Sequence, residues 1–264
     1  MQATKAVSGT KEWASVNLNI YQGCAHDCHY CFAKAMAIRF GRKTAETWKV
    51  EEPSTKEIQK RYQKRAGRIM FPSTHDITPR ILPDYLTVLE KLLRAGNDVL
   101  VVSKPHLECV TAICEVAKPY RDHVTFRFTI GTMDDGALRF WEPGAPAFAE
   151  RMASLRNAFD AGFATSVSCE PLLCADPIPL VQAVQPFVTD TVWLGKANDS
   201  SHALTREDLG VTVKKAIEDL TAMHPVSRVL EIYAALKDSP KVRWKDSFKA
   251  VLGLARPTKK GLDV

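Results

Sequence analysis

Residues 82–104 read LPDYLTVLEKLLRAGNDVLVVSK and predict one helix followed by one strand. The apolar residues of the first half fall on one face of a helix, and they are Leu82, Tyr85, Leu86, Leu89, Leu92 and Leu93. Gly96 ends that helix, and residues 99–102 are too short and too rich in valine to form another. Polar Ser103 and Lys104 follow at once. The stretch therefore predicts a helix that leads into a buried strand with polar side chains at its carboxyl end.

Similar units recur on both sides of this stretch. Short apolar runs predict further strands at residues 16–21, 68–71, 124–130, 163–168 and 188–194, which makes six in all. Segments with helical spacing separate them, including one that Ser54 and Glu57 would open as a capping box. Such alternation is typical of βαβ units with a parallel sheet. We predict an α/β fold, a partial (β/α)6 TIM-type barrel, with a doubly wound open sheet as the alternative.

After residue 200 the pattern changes to successive helices. Thr205 and Asp208 are predicted to open a helix that carries Leu209, Val213 and Ile217 on its apolar face. No further strand is expected in this region. We assign residues 1–200 to the barrel and residues 201–264 to a C-terminal helical extension packed on it.

A cysteine-rich loop, GCAHDCHYCF at residues 23–32, follows the first predicted strand. Cys24, Cys28 and Cys31 can share a metal or cluster, whereas a disulfide would leave the third thiol without a partner. Three protein ligands would leave one iron of a 4Fe–4S cluster open, as a catalytic site requires. The alternative is a zinc site in which His26 or His29 supplies the fourth ligand.

The C-x3-C-x2-C spacing, with an aromatic residue before the third cysteine, resembles the radical S-adenosylmethionine (SAM) superfamily. Residues 28–32, CHYCF, are similar to the branch of spore photoproduct lyases and DNA-repair-photolyase-like proteins, and residues 71–77 and 101–104 extend this similarity more weakly. The resemblance implies a 4Fe–4S cluster held by Cys24, Cys28 and Cys31, with SAM on the open iron. It also implies reductive cleavage of SAM to methionine and a 5′-deoxyadenosyl radical that abstracts a substrate hydrogen. A reductant such as flavodoxin or ferredoxin is the implied partner.

Residues that bind SAM should lie at the carboxyl ends of the barrel strands. The candidates are Phe32, Ser73, Thr74, Lys104, Thr129, Glu170, Lys196 and Asn198. By the resemblance, Lys104 would contact the SAM carboxylate, and Thr129 and Glu170 would contact its ribose or amino group. The alternatives are a solvent-exposed lysine, a strand-end threonine and a carboxylate that caps a turn.

The hydrogen donor of the reaction is a separate question. The resemblance places a hydrogen-donating cysteine where this chain has Ser73, and a hydroxyl O–H bond is too strong to replace a thiol. Cys169, after the fifth predicted strand, is the candidate substitute, and a buried inert thiol is the alternative. Cys109 and Cys114 share one predicted helix and are expected in the core.

The chain carries 36 basic and 30 acidic residues, and two segments hold the basic excess. Residues 34–68 contain 11 basic and 4 acidic residues, and residues 237–264 contain 8 and 3. In the second segment Lys241, Arg243 and Lys245 alternate with Trp244 and Phe248, which suits a phosphate backbone and a stacked base. The alternative is a solvated helical face with its apolar residues packed inward.

Three functions follow from these patterns. The first is a radical SAM enzyme acting on nucleic acid or a nucleotide, and the second is such an enzyme acting on a peptide or small metabolite. The third is a non-catalytic nucleic-acid-binding protein that carries zinc or a cluster. The first residues lack an apolar signal segment, and no run approaches the roughly 18 apolar residues of a membrane span, so we expect a cytoplasmic chain without membrane contact.

Overall fold

The computed structural model describes residues 7–197, 206 and 208–262. The strands are β1 Val16–Asn17, β2 Tyr21–Gln22, β3 Glu52–Pro53, β4 Ile69–Met70, β5 Val99–Ser103, β6 Val124–Thr129, β7 Ala164–Cys169, β8 Val192–Leu194 and β9 Val242–Trp244. The α-helices within these residues are α1 Phe32–Arg39, α2 Thr55–Gln59, α3 Leu82–Arg94, α4 Leu107–Ala117, α5 Asp135–Trp141, α6 Phe148–Asp160, α7 Ile178–Val184, α8 Val211–Ala222, α9 Val226–Leu236 and α10 Asp246–Leu252.

Seven of the strands form one parallel sheet in the order β1-β4-β5-β6-β7-β8-β9. Each strand of this sheet therefore lies beside the one that follows it along the chain. A doubly wound sheet would instead reverse its strand order at a switch point. The predicted partial TIM-type barrel is confirmed.

The expectation that no strand follows residue 200 is wrong. Strand β9 pairs parallel with β8, with Val242 opposite Val192, and adds a seventh strand to the barrel. Its residues, Val242, Arg243 and Trp244, stand between Lys241 and Lys245 and form no apolar run, so the sequence gives no strand signal there. Helix α8 begins at Val211, later than the predicted start near Asp208, and Thr205 lies outside the described residues.

Two predicted elements in the first third of the chain also differ. The run at residues 16–21 is not one strand, because β1 joins the main sheet and β2 pairs antiparallel with β3 in a separate one. Ser54 makes no side-chain capping bond, and α2 has only 5 residues, none of them buried. Ile58 is the apolar residue of α2 that packs against the main core, and one such contact gives little support to a longer helix. The basic residues Lys60, Arg61, Lys64 and Arg65 therefore lie beyond the end of this helix.

Alternation along the strands separates an outer core from the barrel interior. Outward-facing Val101, Phe128 and Val167 pack with the helices in the main core. Inward-facing residues fill the amino-terminal half of the barrel, and they are Trp13, Met70, Leu100, Arg127 and Trp193. The open space of the barrel is thereby restricted to its carboxyl end. No helix within the described residues combines the length and apolar character of a membrane span.

Candidate active site at the carboxyl end of the barrel

A cavity of about 830 Å³ occupies the carboxyl end of the barrel. The cysteine loop forms one wall of it, with Cys24, Cys28 and Cys31 all among the lining residues. Predicted site residues also line it, and they are Phe32 from the end of this loop and, from four other segments, Ser73, Thr74, Lys104, Thr129 and Glu170. Residues that lie far apart in the sequence thus meet around one space, as expected for a barrel enzyme.

The cysteine loop depends on a glycine at its entry. Gly23 has a φ of +98°, and a Cβ there would overlap with the carbonyl oxygens of Trp48 and Val50. The Cys24 amide donates a hydrogen bond to the Trp48 carbonyl at 3.0 Å. Cys31 ends the loop and caps α1, since its Sγ accepts a hydrogen bond from the Lys34 amide at 3.3 Å.

The three thiols are free and largely withdrawn from water. Burial raises the pKa of Cys24, Cys28 and Cys31, and the nearby Lys104 ammonium opposes this shift in part. Backbone amides point at the sulfurs as well, since the Asp76 amide donates to Cys24 Sγ at 3.5 Å. Thiolates that are buried away from water need a bound metal to balance their charge. This set of three thiols therefore fits an iron–sulfur cluster.

The histidines of the loop do not complete a zinc site with all three cysteines. Both ring nitrogens of His26 already have partners, Asp76 Oδ2 and His106 Nε2, each at 2.9 Å. His29 packs edge-on against the Phe140 ring, with the ring centroids 5.2 Å apart. Cys24, His26 and Asp76 do bring possible ligand atoms within 4.8 Å of one another, but this group contains one cysteine of the three.

Lys104 extends from the end of β5 beside the cysteine loop. Its Nζ lies 3.2 Å from Asp76 Oδ2 and 5.9 Å from the centre of the Tyr30 ring. Burial alone would lower the pKa of Lys104, but the negative groups around it, Asp76 foremost among them, together hold that pKa well above its ordinary value. The ammonium thus has an anionic protein partner, which sequence reasoning did not single out.

Polar groups from the segments after β1, β4 and β7 also line the cavity, and the Glu170 carboxylate among them is half-buried. Asn19 orients the segment after β4, since its Oδ1 accepts hydrogen bonds from the Ser73 and Thr74 amides at 2.8 and 2.9 Å. Burial raises the pKa of Glu170, against the influence of Lys245, whose Nζ lies 3.6 Å from Glu170 Oε2.

Two described candidate residues, Cys169 and Lys196, do not line the cavity. Cys169 is fully buried in the main core, where it faces the helices, while its neighbour Glu170 faces inward. Lys196 is half-buried, and it is the next residue, Ala197, that reaches the cavity wall. Asn198 lies outside the described residues. Cys109 and Cys114 are buried in the core as predicted.

The two basic segments differ in what they expose. At the two ends of α1 the side chains of Phe32 and Phe40 are 60% and 62% exposed. The guanidinium groups of Arg39 and Arg42 each lie 5.8 Å from the Phe40 ring centre. Phe32 also lines the cavity, so this surface adjoins its mouth.

The second basic segment is largely internal. Trp244 and Phe248 are buried in the main core, and Lys245 and Lys249 pair with the buried Glu12. The interpretation of this segment as a base-stacking surface is wrong, because its aromatic rings hold β9 and α10 against α9.

Comparison with known proteins places this geometry in a wider class. No protein-family model matches the chain. The uncharacterized protein ORF301 of Acidianus two-tailed virus is 29% identical over 174 residues, which cover 61% of this chain and 56% of the relative. The chain therefore spans about half the length of that curated relative.

Solved structures resemble the whole barrel. A double mutant of spore photoproduct lyase with bound AdoMet, which is SAM, and dinucleoside spore photoproduct has a TM-score of 0.56 and 14% identity, over 92% of this chain and 79% of that one. SuiB of Streptococcus suis, bound to its precursor peptide SuiA, has a TM-score of 0.51 and 9% identity, over 92% and 49%. Both are radical SAM enzymes. The partial-barrel fold that the resemblance implied is therefore confirmed, since this chain shares it with both enzymes.

Proposed function

We propose that this chain is a radical SAM enzyme in which Cys24, Cys28 and Cys31 hold a 4Fe–4S cluster. The supporting observation is that these three free thiols line one cavity at the carboxyl end of a partial barrel with the fold of spore photoproduct lyase. When bound and reduced, the cluster with SAM supplies a 5′-deoxyadenosyl radical that abstracts a hydrogen atom from the substrate. An external one-electron donor such as flavodoxin or ferredoxin would reduce the cluster.

The residues of the chain then bind, orient and exclude water. Lys104, buried beside Asp76, provides a fixed cation for the SAM carboxylate. Thr129 at the end of β6 and Glu170 after β7 offer a hydroxyl and a carboxylate to its ribose and amino group, and Ser73 and Thr74 line the same cavity after β4. Phe32 covers the cavity mouth next to the cluster ligand Cys31.

Nucleic acid is the substrate class that the surface favours. Exposed Phe40, with two arginine guanidiniums near its ring, offers stacking and phosphate contacts next to the cavity. The spore photoproduct lyase complex holds a dinucleoside photoproduct, which is consistent with this choice. The peptide complex of SuiB makes a peptide the second candidate. The Ser73 hydroxyl cannot donate a hydrogen atom to a substrate radical as a thiol can, so we do not extend the repair reaction of that lyase to this chain.

Anaerobic reconstitution with iron and sulfide tests the proposal. We expect four irons and four sulfides per chain, and release of methionine and 5′-deoxyadenosine when SAM and dithionite are added. Cys28→Ala should abolish the intact cluster and SAM cleavage together, whereas Cys109→Ala, a change at a buried cysteine off the cavity, should retain both. One tightly bound zinc without SAM cleavage would establish the zinc-bearing binding protein instead.

A further inference from the structure

We propose that Asp76 is a positioning residue that fixes the Lys104 ammonium against the cysteine loop, and that His26 and His106 hold Asp76 in place from the outer side of the barrel. This inference rests on the proposed function, because it concerns the geometry in which SAM would be bound. It adds residues that contact neither the substrate nor SAM in that proposal.

Asp76 lies at the crossing point of three segments. Its Oδ1 accepts hydrogen bonds from the Lys104 amide at 2.8 Å and from Ser103 Oγ at 3.2 Å. Its Oδ2 lies 3.2 Å from Lys104 Nζ and 2.9 Å from His26 Nδ1. Its own amide donates to Cys24 Sγ at 3.5 Å. Asp76, in the segment that follows β4, thus joins the end of β5 to the first half of the cysteine loop.

The two histidines continue this network outward. A carboxylate oxygen only accepts, so His26 Nδ1 carries the hydrogen shared with Asp76. In neutral His26 the second nitrogen then accepts from His106 Nε2, which lies 2.9 Å away. His106 Nδ1 lies 3.6 Å from Glu150 Oε1, and both histidines line an outer cleft of about 560 Å³. His26 is fully buried, so its ring has one orientation and the Asp76 carboxylate is fixed with it.

The position of the Lys104 ammonium depends on the Asp76 carboxylate. A buried ammonium is stable only beside a compensating charge, and Asp76 is the carboxylate within salt-bridge distance among the described residues. With an amide in its place, the Lys104 side chain would leave its position for solvent, and the cavity would lose a fixed cation. The hydrogen bond from the Asp76 amide to Cys24 Sγ would survive this change. The Cys24 thiol also contacts Asp76 Oδ2 at 3.9 Å, but this contact needs the thiol proton, which a cysteine loses when it binds a cluster. Removal of the carboxylate should therefore spare the cluster and impair the binding of SAM.

The first measurement uses the cluster-free chain. We expect Lys104 in the Asp76→Asn variant to react with acetic anhydride at least fivefold faster than in the unaltered chain, by mass spectrometry of the labelled peptides. Asp219→Asn is the matched control, because it removes a carboxylate from the exposed pair with Lys215 on α8. It should leave the labelling of Lys104 unchanged. Equal labelling of Lys104 in the Asp76→Asn variant and the unaltered chain would overturn the inference.

A double-mutant cycle on the reconstituted enzyme separates positioning from general damage. We expect Asp76→Asn to keep its iron and sulfide and to bind SAM at least tenfold more weakly by equilibrium dialysis. In a Lys104→Met background the same change should have little further effect, because the cation it positions is already gone. Full additivity of the two losses would overturn the positioning role.

If Asp76→Asn does not fold, His106→Gln decides through the same labelling, with an increase expected and no change overturning the inference. Lack of a cluster in the unaltered chain would refute the proposed function alone, since the labelling result is independent of it.

Discussion

The Tyr30 hydroxyl donates a hydrogen bond to the carboxylate of Glu142, a residue 112 positions further along the chain. Glu142 in turn pairs with Arg151, at 2.5 Å between Oε2 and Nη2, and both side chains are fully buried. Arg151 also donates to the Pro146 and Thr129 carbonyls. The half of the cysteine loop that contains Cys28 and Cys31 is thereby tied to α5, α6 and the end of β6.

Replacement of Tyr30 by phenylalanine should weaken this attachment. The change keeps the ring and leaves Glu142 without its hydroxyl donor, so we expect the free energy of unfolding to fall by about 1–3 kcal/mol. Urea denaturation of the cluster-free chain measures it. Tyr233→Phe is the control, because that hydroxyl makes no hydrogen bond with the described residues while its ring packs on Trp244. An equal loss in both variants would show that the Glu142 bond does not stabilise the fold.

Lys245 follows β9, the strand that sequence reasoning missed, and lies buried between carboxylates. Its Nζ is 3.3 Å from Glu12 Oε1 and 3.6 Å from Glu170 Oε2. We expect Lys245→Met to lower the free energy of unfolding by about 3–5 kcal/mol at pH 8, because it leaves buried charges uncompensated. Exposed Lys237 provides the control, and Lys237→Ala should stay within about 0.5 kcal/mol. Similar stability of the two variants, measured by urea denaturation, would contradict a structural role for the buried pair.

Glu12 makes the stability of the fold depend on pH. Burial raises the pKa of Glu12 from 4.5 to about 7, against the opposing effect of Lys245. The folded chain thus holds this proton more tightly than the unfolded chain, and the contribution to stability is complete below about pH 4.5 and is lost as the pH rises through 7. Urea denaturation between pH 4.5 and 8 should show this decline in the unaltered chain and a smaller one in Glu12→Gln. Parallel curves for the two proteins would refute the assignment.

Strand parity explains which site residues the sequence could predict. Lys104 and Thr129 lie at inward positions that continue the alternation of β5 and β6, so a strand assignment alone places them on the interior. The same alternation places Cys169 outside, in the main core, and Glu170 inside, at the cavity. Strand alternation in the sequence thus distinguishes these two neighbouring candidates. Six of the seven strands of the main sheet were predictable because each lies in an apolar run of the sequence next to a periodic helix.

The long-range partners could not be predicted in this way. Tyr30 and Glu142, or Asp76 and His26, meet because the barrel brings separate loops to one end, and no local pattern records such pairs. Strand β9 gave no signal because its three residues are stabilised by β8 and by the packing of Trp244 and Phe248. The basic residues of segment 237–264 resembled a binding surface for the same reason, since their buried partner Glu12 lies more than 200 residues earlier.

Phe40 and Arg42 lie on the exposed surface just after α1, where we expect nucleic acid to bind. If Arg42 contacts a phosphate, the affinity for a single-stranded oligonucleotide should fall steeply with salt, and Arg42→Gln should reduce the slope of log affinity against log salt by roughly 0.7. Phe40→Leu should weaken binding by about 1–3 kcal/mol and leave the slope unchanged, because stacking releases no counterions. Arg228→Gln on α9, where the guanidinium pairs with Asp176 and Glu231, is the control and should alter neither quantity. Fluorescence anisotropy across a salt series measures both, and a flat response in the unaltered chain would favour a peptide or small-molecule substrate.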